Sequence, residues 1–258
     1  MEKERKLALL IDAENIASKY ISIILNEANN LGTIIYKRIY GNWTSSNMSG
    51  WKNVILDNCI QPIQQYSNVS GKNSSDSSLI IDAMDLLYQG RLDGFCIVSS
   101  DSDFTRLASR LRESEMFVLG MGEQKTPQSF ISACNKFSYL DLLYSDGSAA
   151  PAPHQAPVPG AKRTAKKRAD KDEERSGSSL EAVKLALREL AEENSDDEGW
   201  IFSSQLRDLL VKKFPDFDVR NFKYKKFVPF IESLGIFESR KYSPKENDTG
   251  KIVYFRLK

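Results

Sequence analysis

The sequence has a single histidine, His154, and three cysteines that lie far apart at positions 59, 96 and 134. One histidine among prolines and alanines disfavours Ser-His-Asp and Cys-His catalysis and zinc sites with two histidines. The cysteines fit neither a disulfide framework nor a zinc knuckle, so we expect them to be buried thiols. These absences leave few competitors for chemistry based on carboxylates and a metal ion.

No apolar stretch approaches the ~20 residues that cross a membrane. The residues from Met1 to Lys6 lead straight into a short strand-like run, which is too short for a signal-peptide core. We therefore expect a cytoplasmic protein that does not contact a membrane. The length of 258 residues allows one large domain or two small ones.

The net charge is only +1, but it is unevenly distributed. Residues 1–147 carry 14 Lys and Arg against 17 Asp and Glu, and residues 148–199 carry 9 against 11. Residues 200–258 carry 13 against 7. A basic C-terminal part is typical of a region that meets a polyanion.

From residue 6 to about residue 143, strand and helix patterns alternate. The predicted strands are 6–12, 33–40, 60–66, 94–99 and 116–121, with a short one at 136–140. The predicted helices are 15–29, 48–58, 75–89, 103–114 and 127–134. This alternation is typical of βαβ units, so it predicts an α/β fold with three layers and a mostly parallel sheet.

The second half of the chain contains a linker pattern and a small domain pattern. Residues 145–177 are rich in Pro and Ala and then in charge, which predicts a flexible linker. Residues 178–258 show three amphipathic helices, of which Gly235 ends the third, followed by two strands. This order is the outline of a winged helix-turn-helix domain.

Two buried-strand patterns end in aspartates. The apolar run 7–11 precedes Asp12, and the run 95–98 precedes Ser99-Ser100 and then Asp101 and Asp103. Because the carboxyl ends of parallel strands share one crevice, these carboxylates are expected to converge and to need a cation such as Mg²⁺ or Mn²⁺. The alternative is that these aspartates, and Asn15, cap the helices that follow.

The helix predicted at 75–89 contributes a third acid. On a helical wheel, Asp76 falls in the middle of the apolar stripe and points inward, which is expensive unless the carboxylate is paired or bound to metal. Asp82 and Asp85 fall on the outer face, where we expect them to be solvated.

Several of these segments resemble the NYN family of PIN-like ribonucleases, which includes the LabA-like bacterial proteins. The resemblance rests on Leu9-Leu-Ile-Asp-Ala-Glu-Asn-Ile16, Lys72-Asn-Ser-Ser-Asp76 with the helix after it, Val98-Ser-Ser-Asp-Ser-Asp-Phe104, Phe117 to Gly122 and Ser132 to Phe137. The resemblance runs from about residue 6 to about residue 143, and the motifs keep the family's order and spacing. One departure is Ala13, where the family usually has glycine.

The resemblance implies a PIN-like fold and a divalent-metal-dependent ribonuclease, with endonuclease activity expected. Asp12, Asp76, Asp101 and Asp103 would be the catalytic residues and would hold one or two Mg²⁺ or Mn²⁺ ions, with help from Asn15. A water activated by the metal would then attack phosphorus, giving a 5′-phosphate and a 3′-hydroxyl.

Other residues are candidates for contact with RNA. Lys72, Arg106 and Arg110 could reach phosphates near the acids, although a solvated helix face also explains the two arginines. Tyr40, Trp43 and Trp51 could stack on bases or pack in the core.

The C-terminal part resembles an OST-HTH/LOTUS domain. The resemblance rests on Trp200 to Ser203, Leu206, Leu210, Phe222, Lys225, Phe227, the turn at 234–236 and the closing hairpin, while Tyr224 departs from a glycine-bearing segment in many relatives. Members of this family are RNA-binding or protein-docking modules. Cations and rings interleave at Arg220, Lys223, Tyr224, Lys225 and Lys226, which suits RNA, unless the lysines simply face solvent.

The sequence therefore predicts a nuclease domain at 1–144, a linker at 145–177 and an RNA-binding domain at 178–258. The expected partner is RNA, single-stranded or structured. A protein partner of the C-terminal domain and association into a homo-oligomer are both left open. One rival hypothesis is an RNA-binding adaptor that has lost its chemistry. Another is a different metal-dependent phosphate enzyme, such as a DNA flap nuclease or a phosphatase.

Overall fold

The computed structural model describes residues 4–64, 74–147, 179–242 and 252–258. Residues 4–147 of this set, called here the N-terminal unit, contain one six-stranded sheet in which every neighbouring pair is parallel. Its strands are β1 (Arg5–Asp12), β2 (Gly32–Gly41), β3 (Gln61–Gln64), β4 (Gly94–Val98), β5 (Phe117–Gly122) and β6 (Lys136–Tyr139). They lie in the order β3-β2-β1-β4-β5-β6.

Helices connect these strands and cover both faces of the sheet. They are α1 (Ile21–Asn29), α2 (Lys52–Asp57), α3 (Ser74–Tyr88), α4 (Thr105–Glu113), α5 (Gln128–Ala133) and α6 (Leu140–Gly147). Short 3₁₀ segments precede three of them, at Ser18–Tyr20, Ser46–Trp51 and Ser102–Phe104. The three-layer α/β architecture predicted from the sequence is thus confirmed.

The central strand β1 explains why the unit has two cores. Residues Leu7–Ile11 are fully buried, and their side chains alternate between the two faces of the sheet. Ala8 and Leu10 belong to one apolar cluster, while Leu7, Leu9 and Ile11 belong to the other. A strand covered on both faces requires this continuous apolar run.

The C-terminal unit, residues 179–242 and 252–258, has its own core and its own sheet. Its elements are α7 (Leu180–Asn194), β7 (Ile201–Phe202), α8 (Ser203–Lys213), α9 (Phe227–Ser233), β8 (Phe237–Tyr242) and β9 (Ile252–Leu257). The three strands form an antiparallel sheet in the order β7-β9-β8. Gly235, with a φ of +71°, follows the end of α9 as predicted.

The structure differs from several of the predictions made from the sequence. The predicted linker was to begin at residue 145, but residues 145–147 belong to α6, and the rest of the linker, with His154, lies outside the described residues. The two-residue strand β7 was not anticipated.

The three cysteines were expected to be buried thiols. Cys96 and Cys134 are buried, and burial raises the pKa of both thiols to about 12, but Cys59 is exposed. No helix within the described ranges is long and apolar enough to span a membrane.

The C-terminal unit contacts the outer edge of β6. The backbone N–H of Phe137 donates to the carbonyl of Pro215 at 2.7 Å. Two strand positions further on, the Tyr139 hydroxyl donates to Asp216 Oδ2 at 3.0 Å, and both of these residues are buried.

A buried carboxylate, Glu27 on α1, anchors the same contact. Arg220 donates from two nitrogens to its two oxygens at 2.8 and 3.1 Å, Ser138 Oγ donates at 3.0 Å, and Lys136 Nζ lies at 3.6 Å. Burial alone would raise the pKa of Glu27, but Arg220, Lys136 and Ser138 together hold it below its usual value. Asp218 binds the other side of the same guanidinium at 2.6 Å.

Replacing Arg220 by alanine is expected to lower the free energy of unfolding by about 1–3 kcal/mol, since it leaves the Glu27 carboxylate buried without its main hydrogen-bond donor. Because the pKa of Glu27 is lowered in the folded protein, this contribution is present near neutral pH and is lost as the pH falls below about 4. Urea titration followed by tryptophan fluorescence at several pH values measures both effects.

Lys213→Ala is the matched control, because Lys213 and Glu189 form an ion pair at 2.6 Å that is more than 40% exposed. We expect less than about 1 kcal/mol there. Equal losses in the two variants would contradict a special role for the Arg220 pair.

Candidate functional site

The strand order places one crevice of the sheet between β1 and β4. From β1 the chain proceeds to β2 on one side, and after β3 it returns to β4 on the other side. In open parallel sheets the carboxyl ends at such a switch point form the usual ligand site. Asp12 is the last residue of β1, and Ser99 and Asp101 follow β4 at the same level. These three residues define what we call the acidic edge.

Asp12 is almost completely buried, with 1% of its surface exposed. Its Oδ1 accepts hydrogen bonds from the backbone N–H groups of Glu14 and Asn15, at 3.1 and 3.3 Å. Its Oδ2 accepts from Asn15 Nδ2 at 2.7 Å and from Ser99 Oγ at 2.8 Å. Each carboxylate oxygen therefore has two donors, which fills its usual capacity.

Burial nevertheless dominates the ionisation of this group. Desolvation raises the pKa of Asp12, and the hydrogen bonds from Asn15 and Ser99 and from the two backbone amides offset it only in part. A nearby cation would favour the charged form of a desolvated carboxylate. The alternative that Asn15 caps a helix is wrong, because α1 begins at Ile21 and the Asn15 amide binds Asp12 instead.

Asp101 uses one carboxylate oxygen in a helix-capping hydrogen bond, and its second carboxylate oxygen could bind a ligand. Its Oδ1 accepts the Asp103 N–H at 2.9 Å and so caps the 3₁₀ segment Ser102–Phe104. Its own N–H donates to Ser99 Oγ at 3.1 Å, so Ser99 links the two carboxylate residues. Among the described residues, no donor binds Asp101 Oδ2. Asp103 lies in the 3₁₀ segment and is exposed.

The structure describes the backbone of Asp76, the remaining predicted acid, but not its side chain. Asp76 lies in the first turn of α3, and its side chain is outside the described part, as is all of Lys72. Within the described ranges, no three Asp, Glu, His or Cys side chains form a group that could hold a metal ion. A four-aspartate cluster thus stays a prediction.

Asp82 was expected to be solvated, and this expectation was wrong. It is about one-fifth exposed and accepts hydrogen bonds from Arg38 and from Tyr40, both on β2.

Tyr40 is fully buried beside Asp12, and burial together with the neighbouring Asp82 carboxylate raises the pKa of its hydroxyl. Trp51 is buried too, and its Nε1 donates to the Ile16 carbonyl, so both rings are core residues and not free to stack on bases. Asp85 is exposed as predicted.

The predicted RNA-contacting residues separate into two groups. Arg106, Arg110, Lys223, Lys225 and Lys226 are exposed. Arg110 contacts Ser114 and, at 3.8 Å, Glu113. Arg220 and Tyr224 are instead engaged inside the protein. Arg220 binds Glu27 and Asp218, and the half-buried Tyr224 ring lies 5.5 Å from the Phe230 ring.

Sequence reasoning missed Ser99 as a residue of this site. The sequence shows only that Ser99 is the first polar residue after the apolar run 95–98, whereas its burial and its position beside the end of β1 appear only in the fold. Its hydroxyl both donates to Asp12 and accepts from the Asp101 N–H, so it fixes the relative position of the two.

The donors of the acidic edge fit a hard divalent cation. Asp101 supplies its second carboxylate oxygen. If the Asn15 side chain turns over, it presents its amide oxygen and also frees one position on Asp12 Oδ2. Mg²⁺ and Mn²⁺ prefer such oxygen donors. The desolvated state of Asp12 is a second point in favour, since a cation would relieve it.

Comparison with known families places two matches along the chain. The model of the NYN domain family matches residues 6–141, which is more than half of the chain. The model of the OST-HTH/LOTUS domain matches residues 178–248. The NYN family is an RNA-related nuclease family, and an OST-HTH domain indicates RNA binding. No curated protein is significantly similar to the chain.

Solved structures provide further matches. A protein of unknown function from Vibrio parahaemolyticus is 17% identical with a TM-score of 0.45, and the match covers 53% of this chain and 93% of that one. An uncharacterized protein from Nitrosomonas europaea is 27% identical with a TM-score of 0.25, and the match covers 42% and 91%. At these TM-scores neither likeness defines the fold.

The raised pKa of Asp12 gives a test that needs no substrate. Because the folded protein holds the Asp12 proton more tightly than the unfolded chain does, stability falls as the pH rises from the ordinary pKa of Asp, about 3.9, to the raised pKa of Asp12, and then levels off. Asp12→Asn removes this ionisation, and Asn15 can turn its amide to present an oxygen. We therefore expect the melting temperature of the variant, relative to wild type, to rise as the pH increases above about 4 and then to level off.

The measurement is thermal melting in EDTA, with Asp85→Asn as the control because Asp85 is an exposed carboxylate. A difference for Asp12→Asn that does not change with pH would contradict the effect of burial on this group.

Proposed function

Because this chain belongs to the NYN family, we propose that it is a divalent-metal-dependent ribonuclease whose catalytic site is the acidic edge. One observation carries the proposal. Asp12 and Asp101 lie at the carboxyl ends of β1 and β4, on either side of the switch point, and Ser99 joins them. This is where an open parallel sheet binds its ligand.

In this proposal Asp12 and Asp101 hold one Mg²⁺ or Mn²⁺ ion, and Asp76, Asp103 and Asn15 complete the site or bind a second ion. Ser99 keeps the Asp12 carboxylate in place, and Asp101 offers its second oxygen. A divalent cation held there would lower the pKa of a water molecule and neutralise charge that develops on the scissile phosphate. Because the attacking group is water and not a protein side chain, the mechanism needs no histidine to activate a protein nucleophile.

The C-terminal unit would supply affinity for RNA. Residues 1–147 carry three more acidic than basic side chains, so the N-terminal unit alone would repel a polyanion at long range. Residues 200–258 carry an excess of six basic side chains. We propose that Lys223, Lys225 and Lys226 contact phosphates and that the products of cleavage are internal fragments, as expected of an endonuclease.

The direct test is cleavage of a labelled single-stranded RNA with Mg²⁺ or Mn²⁺. We expect wild type to cut, EDTA to abolish cutting, and Asp101→Asn to lower the rate by at least about 10–100-fold, the loss typical of disturbing a metal site. Asp85→Asn is the control and should cut like wild type, since its side chain is on the exposed face of α3. Binding of the same RNA in EDTA shows that the variant is intact.

A matched DNA oligonucleotide and a small phosphate ester test the substrate class in the same assay. If the DNA or the phosphate ester is cleaved faster than RNA, the ribonuclease proposal is wrong and another metal-dependent phosphate enzyme takes its place.

One observation favours a second candidate, an RNA-binding adaptor without catalysis. The Asp12 carboxylate already has all four of its hydrogen-bond positions filled by protein donors, so it can persist without a metal ion. In that case the acidic edge would be a structural network and not a catalytic site.

Thermal melting with Mn²⁺ separates the two candidates. A ligand that binds only the folded state raises the melting temperature, and at 100 times its dissociation constant the gain is about 2.7 kcal/mol. We expect such a rise in wild type and none in Asp101→Asn. An equal response of the two proteins, together with intact RNA in the cleavage assay, would establish the adaptor.

A further inference from the structure

A cleft of about 840 Å³ separates the N-terminal unit from the C-terminal unit. On the N-terminal side it is lined by Arg5, Phe117 and Lys136, which are the first residues of β1, β5 and β6. On the C-terminal side it is lined by side chains of α8 and of the segment that leads into α9. It therefore lies at the amino ends of the parallel strands, opposite the acidic edge.

The lining of this cleft is strongly basic. Its cations are Arg5, Lys136, Arg207, Lys212, Lys225 and Lys226. Of the residues that the structure describes, only two carboxylates face the cleft, and one of them, Asp218, is already bound to Arg220. Within the described ranges, only Lys136 among the six cations has an ion-pair partner, Glu27 at 3.6 Å. So many uncompensated cations in one concavity attract a polyanion.

Aromatic rings stand among these cations. The half-buried rings of Phe117 and Phe227 line opposite sides of the cleft. The Arg5 guanidinium lies 4.7 Å from the centre of the Phe117 ring. Cations that follow a backbone, combined with rings on which bases stack, are the features of a site for single-stranded nucleic acid. A bare phosphate ion would use the charges alone.

We propose that this cleft binds the backbone of single-stranded RNA and is a second RNA contact, separate from the acidic edge. The identity of the ligand rests on the proposed function, whereas the cleft itself does not. Because Arg5 and Asp12 are the two ends of β1, an eight-residue strand, the two RNA contacts lie roughly 23 Å apart along the sheet. At the 3.4 Å rise of a stacked strand, roughly seven nucleotides span this distance.

The test measures RNA affinity of the full chain in EDTA, where no cleavage takes place. The cleft variant is R207E/K225E, which reverses two exposed cations of the cleft. The control is R188E/R240E, which makes the same charge change at two exposed arginines of the same unit outside the cleft. The probes are labelled oligouridines of about 5 and about 15 nucleotides, shorter and longer than the span estimated from strand length.

For the longer RNA we expect R207E/K225E to bind roughly tenfold or more weakly than wild type, with R188E/R240E within about twofold. The slope of log affinity against log salt should fall by about 1.4, the value for two lost phosphate contacts on a single strand. Arg5→Glu should weaken binding too, although Arg5 belongs to the other unit. Melting curves check that all variants are folded.

Each other outcome is decisive. An Arg5→Glu protein that binds like wild type overturns the cleft and leaves RNA contact on the C-terminal unit alone. Equal affinity of the cleft and control variants overturns both the cleft and the contact proposed for Lys225. Displacement of the RNA by polyglutamate as readily as by unlabelled RNA overturns the assignment to RNA. If wild type never cuts RNA but the cleft variant still loses affinity, the cleft stands and the ribonuclease proposal fails.

Discussion

Every strand of the large sheet runs in the same direction, and this constraint gives its two ends opposite properties. The carboxyl ends carry Asp12, Ser99 and Asp101 at the switch point. The amino ends begin with Arg5 and Lys136, which face the basic cleft. A parallel arrangement keeps these two sets of charge apart by the length of a strand, so neither neutralises the other. In the function proposed here, one end attracts RNA and the other cuts it.

The large sheet could be predicted well because its signal is local. The apolar run 7–11 must be a strand covered on both faces, and the structure has β1 at Arg5–Asp12. Helical periodicity likewise located α3 within one residue at each end. Periodicity reports only on its own helix, however. It assigned Asp82 to solvent because it could not show that Arg38 and Tyr40 on β2 reach across to it.

Only part of the candidate site could be predicted, because a sequence pattern reports on its own segment and not on its partners in the fold. Asp12 and Asp101 follow apolar runs, so the end of each strand could be read directly. Ser99 was missed because its importance comes from the neighbouring strand and not from its own segment. Arg220 was assigned to RNA from the cations and rings around it. Its actual partner, Glu27, is 193 residues away in sequence and could be found only in the folded chain.

The contact between Phe137 and Pro215 has a consequence for aggregation during synthesis. β6 is the last strand of the sheet, and an open strand edge invites pairing with another chain. Pro215 accepts the Phe137 N–H, but it has no N–H of its own with which to continue the pairing. The C-terminal unit thus closes the edge without lengthening the sheet. Because 78 residues separate the two positions, a growing chain leaves this edge uncovered for at least the roughly 4–16 s that their translation takes.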